Sequence, residues 1–135
     1  MLNPFPDLLT YSLLAPFLLR VTIGFVLANL GYLKLTKEKG SWETIFKLLG
    51  LSGQKEIGTV IVGVVEIVGG IMLVVGFYTQ IAALVFVILN GIEMFIEYHE
   101  ETLMKRDMVF YLLIFVIALS LLFSGAGFLA FDLPL

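Results

Sequence analysis

Long apolar runs divided by short polar clusters set the pattern of this chain. Residues 8–33 are apolar apart from Thr10, Tyr11, Ser12, Arg20, Thr22 and Asn29, and the run closes on Lys34, whose long stem can carry its ammonium to lipid headgroups. Pro16, one turn before Arg20, predicts either a kink or the point where regular helix begins. Ser41 then opens a short pattern with Trp42, Ile45, Phe46, Leu48 and Leu49 on one side, which predicts a capped interfacial helix over about 41–50, with Trp42 at headgroup level. Residues 57–92 hold a single charge, Glu66. As one helix they would measure about 54 Å against a hydrocarbon core of roughly 30 Å, so the run must fold back. Gly76, Phe77, Tyr78, Thr79 and Gln80 bring a glycine, aromatic anchors and polar side chains together, and the turn belongs there. A charged stretch, 99–107, leads into the last apolar run. The pattern predicts an all-α membrane protein, one four-transmembrane-helix bundle over 1–135. Its spans fall at about 8–34, 57–77, 81–98 and 108–128, with the short interfacial helix between helices one and two.

Composition narrows what such a bundle can do. Sixty per cent of the residues are hydrophobic and 14% charged, which places the chain in the membrane, in contact with the lipid bilayer. The formal net charge of −3 comes with dispersed basic residues, so no stripe is available for a nucleic-acid backbone. Cysteine is absent, and any redox chemistry therefore needs a bound cofactor or a partner chain. The first residues, from Met1 through Leu9, lack the basic flank and small-residue cleavage site of a signal peptide, so the first span is expected to be retained. The one histidine, His99, falls in the charged stretch and suits solvent better than a haem iron, and no haem is expected. Glu66, Glu93, Glu97 and His99 lack the repeated Glu-x-x-His of carboxylate di-metal bundles, and no metal is expected either.

The basic residues also orient the chain. Lys34, Lys37, Lys39, Lys47 and Lys55 lie in or beside the first connection, Lys105 and Arg106 in the third, and none in the second or at either end. The positive-inside bias then puts connections one and three in the cytoplasm and both termini outside, as a multi-pass protein of the cell membrane.

Glu66 is the residue that asks for chemistry. It stands ten residues past Glu56, roughly 15 Å deep and near the bilayer midplane, where a lone carboxylate must be protonated, hydrated or paired. Gly63, Gly69 and Gly70 share its face; Arg20 shares a face with Gly24, Ala28 and Gly31, and small residues of this kind let helices approach closely. Arg20 is therefore the expected partner of Glu66. On the third span Asn90, Glu93 and Glu97 share a face, Glu93 looking inward and Glu97 reaching interfacial water. Asn29, Tyr32, Tyr111 and Asp107 fall in the same half of the bundle, and a cavity open to that side would gather them with Glu66 and the helix-three groups. Two readings compete. Arg20, Glu66, Asn90, Glu93 and Tyr111 line a quinone or lipid pocket in which carboxylate and guanidinium handle a proton or a carbonyl oxygen, or these groups are a structural ion pair in a membrane scaffold, assembly or chaperone-like protein. No catalytic residue is assigned.

Several short stretches, in their order along the chain, carry a resemblance to the DoxX family of small four-helix membrane proteins. They are Leu19–Arg20 with Gly31 and Lys34; Glu66, Gly69 and Gly70 followed by Leu73, Gly76 and Thr79; and Gly125–Ala126–Gly127 with Asp132. The chain departs at Leu30, where many members have a histidine, and at Ala130–Phe131, where Ser-Leu is usual. The resemblance implies membrane-bound redox company: a quinone as cofactor, and a larger oxidoreductase subunit or a homo-oligomer as partner. It does not imply that the chain is itself an enzyme.

Overall fold

The chain folds into five α-helices joined by short connections, in a computed structural model that describes residues 6–132. The expectation about the first residues of the chain lies partly outside that range. A short 3₁₀ helix, Pro6–Tyr11, precedes α1 (Leu14–Thr36); α2 (Lys39–Leu48), α3 (Lys55–Val75), α4 (Thr79–His99) and α5 (Met108–Ser124) follow, and no strand occurs among the described residues. Helix one thus starts at Leu14 and not at residue 8. Pro16 sits in its first turn, where a missing N–H is harmless, so it marks the start of regular helix without kinking it. The last helix ends at Ser124, where Gly125 takes a positive φ of 75°. The α2 helix begins two residues before Ser41, which therefore lies inside it and caps nothing.

Helices α1, α3 and α4 are each long and apolar enough to cross a membrane, and α5, at 17 residues, is apolar but shorter. Large apolar side chains such as Phe25, Ile61, Ile88, Phe95, Val109 and Phe123 cover the outside. A water-soluble protein of this size would hide most of that surface; here lipid covers it.

The helices pack as two antiparallel pairs, α1 with α3 and α4 with α5, and the two pairs close over one apolar core. Ile23, Leu27, Leu73, Phe86, Ala118 and Leu121 fill it. The small-residue faces read from the sequence meet each other. A Cβ on Gly31 would stand 2.5 Å from the Gly63 carbonyl oxygen, and one on Gly70 would stand 2.6 Å from that of Gly24. Gly69 makes room for the Phe86 ring, to which a Cβ would come within 2.7 Å. The turn between α3 and α4 falls at 76–78 as expected: Gly76 (φ 76°) caps α3, and Tyr78 holds a left-handed φ of 47°. A smaller cluster of Trp42, Ile45, Ile96, Met104 and Tyr111 seats α2 against α4 and α5 at the other end.

Candidate functional site

Helix α1 brings Lys34 inward, contrary to the expectation that it reaches headgroups: the side chain is 1% exposed. The antiparallel register explains why. A Cβ on Gly31 would lie 2.9 Å from Glu66 Cβ, so Glu66 is level with Gly31, one turn before Lys34. Side chains lean toward the N-terminus of their own helix. Across an antiparallel pair, Lys34 leans back down α1 while Glu66 leans up toward the same level, and the two meet. Lys34 Nζ donates to Glu66 Oε1 at 2.5 Å and also to Glu93 Oε1 of α4. Both carboxylates are buried, at 0% and 2% exposed. The Trp42 ring of α2 completes the surroundings, its centroid 4.2 Å from Nζ in a cation–π contact. Trp42 is thus folded under α2 and not spread at the surface.

Arg20 does not join them, which corrects the expected Arg20–Glu66 pair. It lies eleven residues before Gly31 on α1, about 16 Å of helical rise from the Glu66 level, and its side chain leans the opposite way. Its guanidinium donates to the carbonyls of Ala126 (2.9 Å), Leu129 (2.9 Å) and Phe128 (3.4 Å), tying the segment after α5 to the bundle. Asp132 completes that end, with its N–H on the Gly76 carbonyl at 2.9 Å and Oδ2 accepting from the Thr79 N–H at 2.5 Å. The glycines around Ala126 and the acid at 132 therefore serve Arg20 and the α3–α4 turn.

Of the other expected site residues, Asn90 is buried one turn before Glu93, and Tyr111 is buried in the Trp42 cluster. Glu97 is only 8% exposed, so it is not the water-facing group expected. Asn29, Tyr32 and Asp107 are exposed and line no interior, with Tyr32 at 58%. Sequence reasoning missed Lys34 and Trp42. A signal existed for the lysine: the face Arg20–Gly24–Gly31, continued by three residues, ends on Lys34.

An apolar cleft opens beside the cluster. It lies between α2, α3 and α4, encloses about 240 Å³, and is walled by Trp42, Phe46, Val62, Leu89 and Ile92 with Glu93 at its edge. A second apolar hollow of about 280 Å³ lies further along the α3–α4 seam, beside Gly69 and Phe86. A partly polar cavity of about 390 Å³ sits at the opposite end, beside Thr79, Ser124 and Asp132. Among the described residues, four buried acceptors on α3 and α4 have no donor: Glu66 Oε2, Glu93 Oε2, Asn90 Oδ1 and Glu97 Oε2. An apolar slot with a glutamate at its edge suits a ligand with an apolar tail and a polar head.

The DoxX family model matches residues 15–98, from the first turn of α1 to the end of α4. Arg20, Lys34, Trp42, Glu66 and Glu93 fall inside the match, whereas Tyr111, Gly125–Gly127 and Asp132 lie beyond it. No curated protein and no solved structure was found to match the chain. With the match covering more than half of its length and with these apolar helices, the chain belongs to the DoxX family and is an integral membrane protein.

Proposed function

We propose that the chain is a membrane subunit of a quinone-linked redox system, and that the α2–α3–α4 cleft receives the quinone. The observation that carries this reading is the apolar cleft with Glu93 at its edge and Trp42 in its wall. Glu93 Oε2 is unpartnered: as a protonated carboxyl it donates to a carbonyl head, as a carboxylate it accepts from a hydroxyl head, and Lys34 holds the other oxygen of the same group. The hollow further along the α3–α4 seam offers a place for an isoprenoid tail. A bound quinone supplies two-electron, two-proton chemistry; the chain's part is to hold the head, exclude water and present a carboxyl. With no cysteine and with its one histidine exposed at the end of α4, electrons come from a partner oxidoreductase subunit. In this reading residues 1–135 form one domain, α5 is a fourth span tilted little from the membrane normal, and α2 lies at the membrane surface. Lys37, Lys39, Lys47 and Lys55, with Lys105 and Arg106, mark the cytoplasmic side.

Trp42 is the sole tryptophan, so its emission reports on the cleft. A short-chain quinone titrated into the protein in lipid nanodiscs is expected to quench that emission saturably, and Leu89→Phe, which narrows the cleft without adding a second tryptophan, to weaken the effect. Quenching that rises linearly without saturation, as for free tryptophan in the same lipid, sinks the quinone reading and leaves the scaffold one.

A further inference from the structure

The formal charges sealed around Lys34 do not cancel. Lys34, Glu66 and Glu93 are each at most 2% exposed, and they comprise one ammonium and two carboxyls. The ammonium takes one oxygen of each carboxyl, leaving Glu66 Oε2 and Glu93 Oε2 without a donor. Asn90, fully buried one turn before Glu93, turns its Nδ2 to the Phe86 carbonyl at 2.9 Å and leaves Oδ1 unpartnered too. Every orphaned atom here is an acceptor. A buried net charge of −1 costs several kcal/mol, and each orphaned oxygen adds about 1–3 kcal/mol. One added cation cancels the charge, and the smallest that can enter is a proton, which, bonded to one carboxyl oxygen, also donates to one neighbouring acceptor.

We infer that Lys34, Glu66 and Glu93 form a store for one exchangeable proton, held on the two carboxyls, with Glu97 as the group through which it exchanges with water at the α4–α5 connection. Glu97 follows Glu93 by one turn on the same face of α4, is almost buried, and has an oxygen without a partner. Beyond it Glu101 and Asp107, both exposed, are close enough to act on it electrostatically. In loading, a proton leaves water at that connection, passes by Glu97 and bonds to a carboxylate oxygen of Glu93 or Glu66, taking the cluster from −1 to 0. Release is the reverse; no electron moves and no other bond changes. The groups that face the store are Lys34 from α1, Glu66 from α3, and Asn90, Glu93 and Glu97 from α4, with Trp42 from α2 and Tyr111 from α5. The pair Arg106–Glu38, 3.0 Å apart at the rim, is balanced in charge and leaves the sum unaltered. The store goes beyond the quinone reading and stands whether or not the cleft takes a quinone.

Infrared spectroscopy of the full chain in lipid nanodiscs reads this proton directly. At neutral pH the unmodified protein is expected to show the carbonyl stretch of a protonated carboxyl, shifted in heavy water and lost at alkaline pH. Glu66→Gln and Glu93→Gln each remove the band, because the remaining carboxylate and Lys34 balance. Lys34→Met enlarges it. Glu97→Gln keeps its amplitude but slows its hydrogen–deuterium exchange by about tenfold or more. Absence of the band in the unmodified protein at neutral pH overturns the proposal without reference to any variant's folding. A band that survives both glutamine substitutions belongs to another carboxyl and overturns it equally, and a band that appears only in sodium-free buffer makes sodium the resident cation and the proton store wrong.

Discussion

Gly24 and Gly70 bring the backbones of α1 and α3 into contact, each lacking the side chain that would strike the other's carbonyl: a Cβ on Gly24 would stand 2.7 Å from Gly70 O, and one on Gly70 2.6 Å from Gly24 O. This contact and the one at Gly31 and Gly63 fix the register that brings Lys34 to Glu66. Gly70→Val is therefore expected to force the helices apart and cost about 1–3 kcal/mol, as overpacking does elsewhere. Gly40 in α2 has nothing within 4 Å of a Cβ, and Gly40→Ala should be neutral or stabilising by up to about 1 kcal/mol. Reversible unfolding in mixed micelles measures both, and equal stability of Gly70→Val and the unmodified chain would contradict the close contact.

Lys34 and Glu66 should be energetically coupled, whereas Arg20 and Glu66 should not. Lys34→Met leaves two buried carboxyls without their cation, a loss of about 3–5 kcal/mol. Glu66→Gln alone leaves the Lys34–Glu93 contact intact and costs less. In a double-mutant cycle, Lys34→Met with Glu66→Gln is expected to fall well short of the sum of the single losses. Arg20→Met with Glu66→Gln should add to within about 0.5 kcal/mol, as distant sites do. Strong coupling in the second cycle would mean that the register is wrong.

The physical reasons for what the sequence did and did not reveal are visible in these residues. The apolar runs and the polar turn at 76–80 pointed to the long helices, because a period and a length suffice for that, but not to their ends: α1 begins at Leu14 and not at residue 8, and α5 stops at Ser124. The glycine faces of α1 and α3 were legible as contact faces and do contact each other. What one chain read in isolation lacks is the register between two helices and the direction in which each side chain leans. For that reason Arg20, on the right face but at the wrong end, looked like the partner of Glu66, and Lys34, at the edge of the run, looked like an interfacial residue. Trp42 misled in the same way: α2 folds back on the bundle, so its indole covers an ammonium and not a headgroup.

Arg20 serves the segment that follows α5. Its three carbonyl acceptors lie at Ala126, Phe128 and Leu129, so Arg20→Met should loosen residues 125–132 while leaving the Lys34 cluster assembled. The Phe128 and Asp132 N–H groups are bonded to the carbonyls of Leu13 and Gly76. Their hydrogen exchange is expected to quicken about tenfold in the variant, the equivalent of one charge-assisted hydrogen bond of about 1.5 kcal/mol. Exchange elsewhere on α3 and α4 should stay near that of the unmodified chain. Unchanged exchange at both positions would leave the Arg20 contacts without a structural role.

The orientation proposed above rests on the basic residues of two connections, and two of the chain's cations do not count toward it. Lys34 faces inward and leaves the tally, as does Arg20. Lys37, Lys39, Lys47 and Lys55 remain around α2, Lys105 and Arg106 remain between α4 and α5, and the α3–α4 turn at 76–78 carries none. Each of these connections is short, the condition under which basic residues set orientation. Under the proposal, α2 and the α4–α5 connection face the cytoplasm and the Asp132 end lies outside. A reporter fused after Leu135 that is active only in the cytoplasm should stay dark, and one inserted at Gly53, where a Cβ meets nothing within 4 Å, should be bright. Exchanging Lys37, Lys39, Lys47 and Lys55 for glutamine removes four of the six orienting charges and should produce a mixed population with signal at both sites. A bright C-terminal reporter on the unmodified chain would reverse the assignment and place the Glu97 exit on the outer face of the membrane.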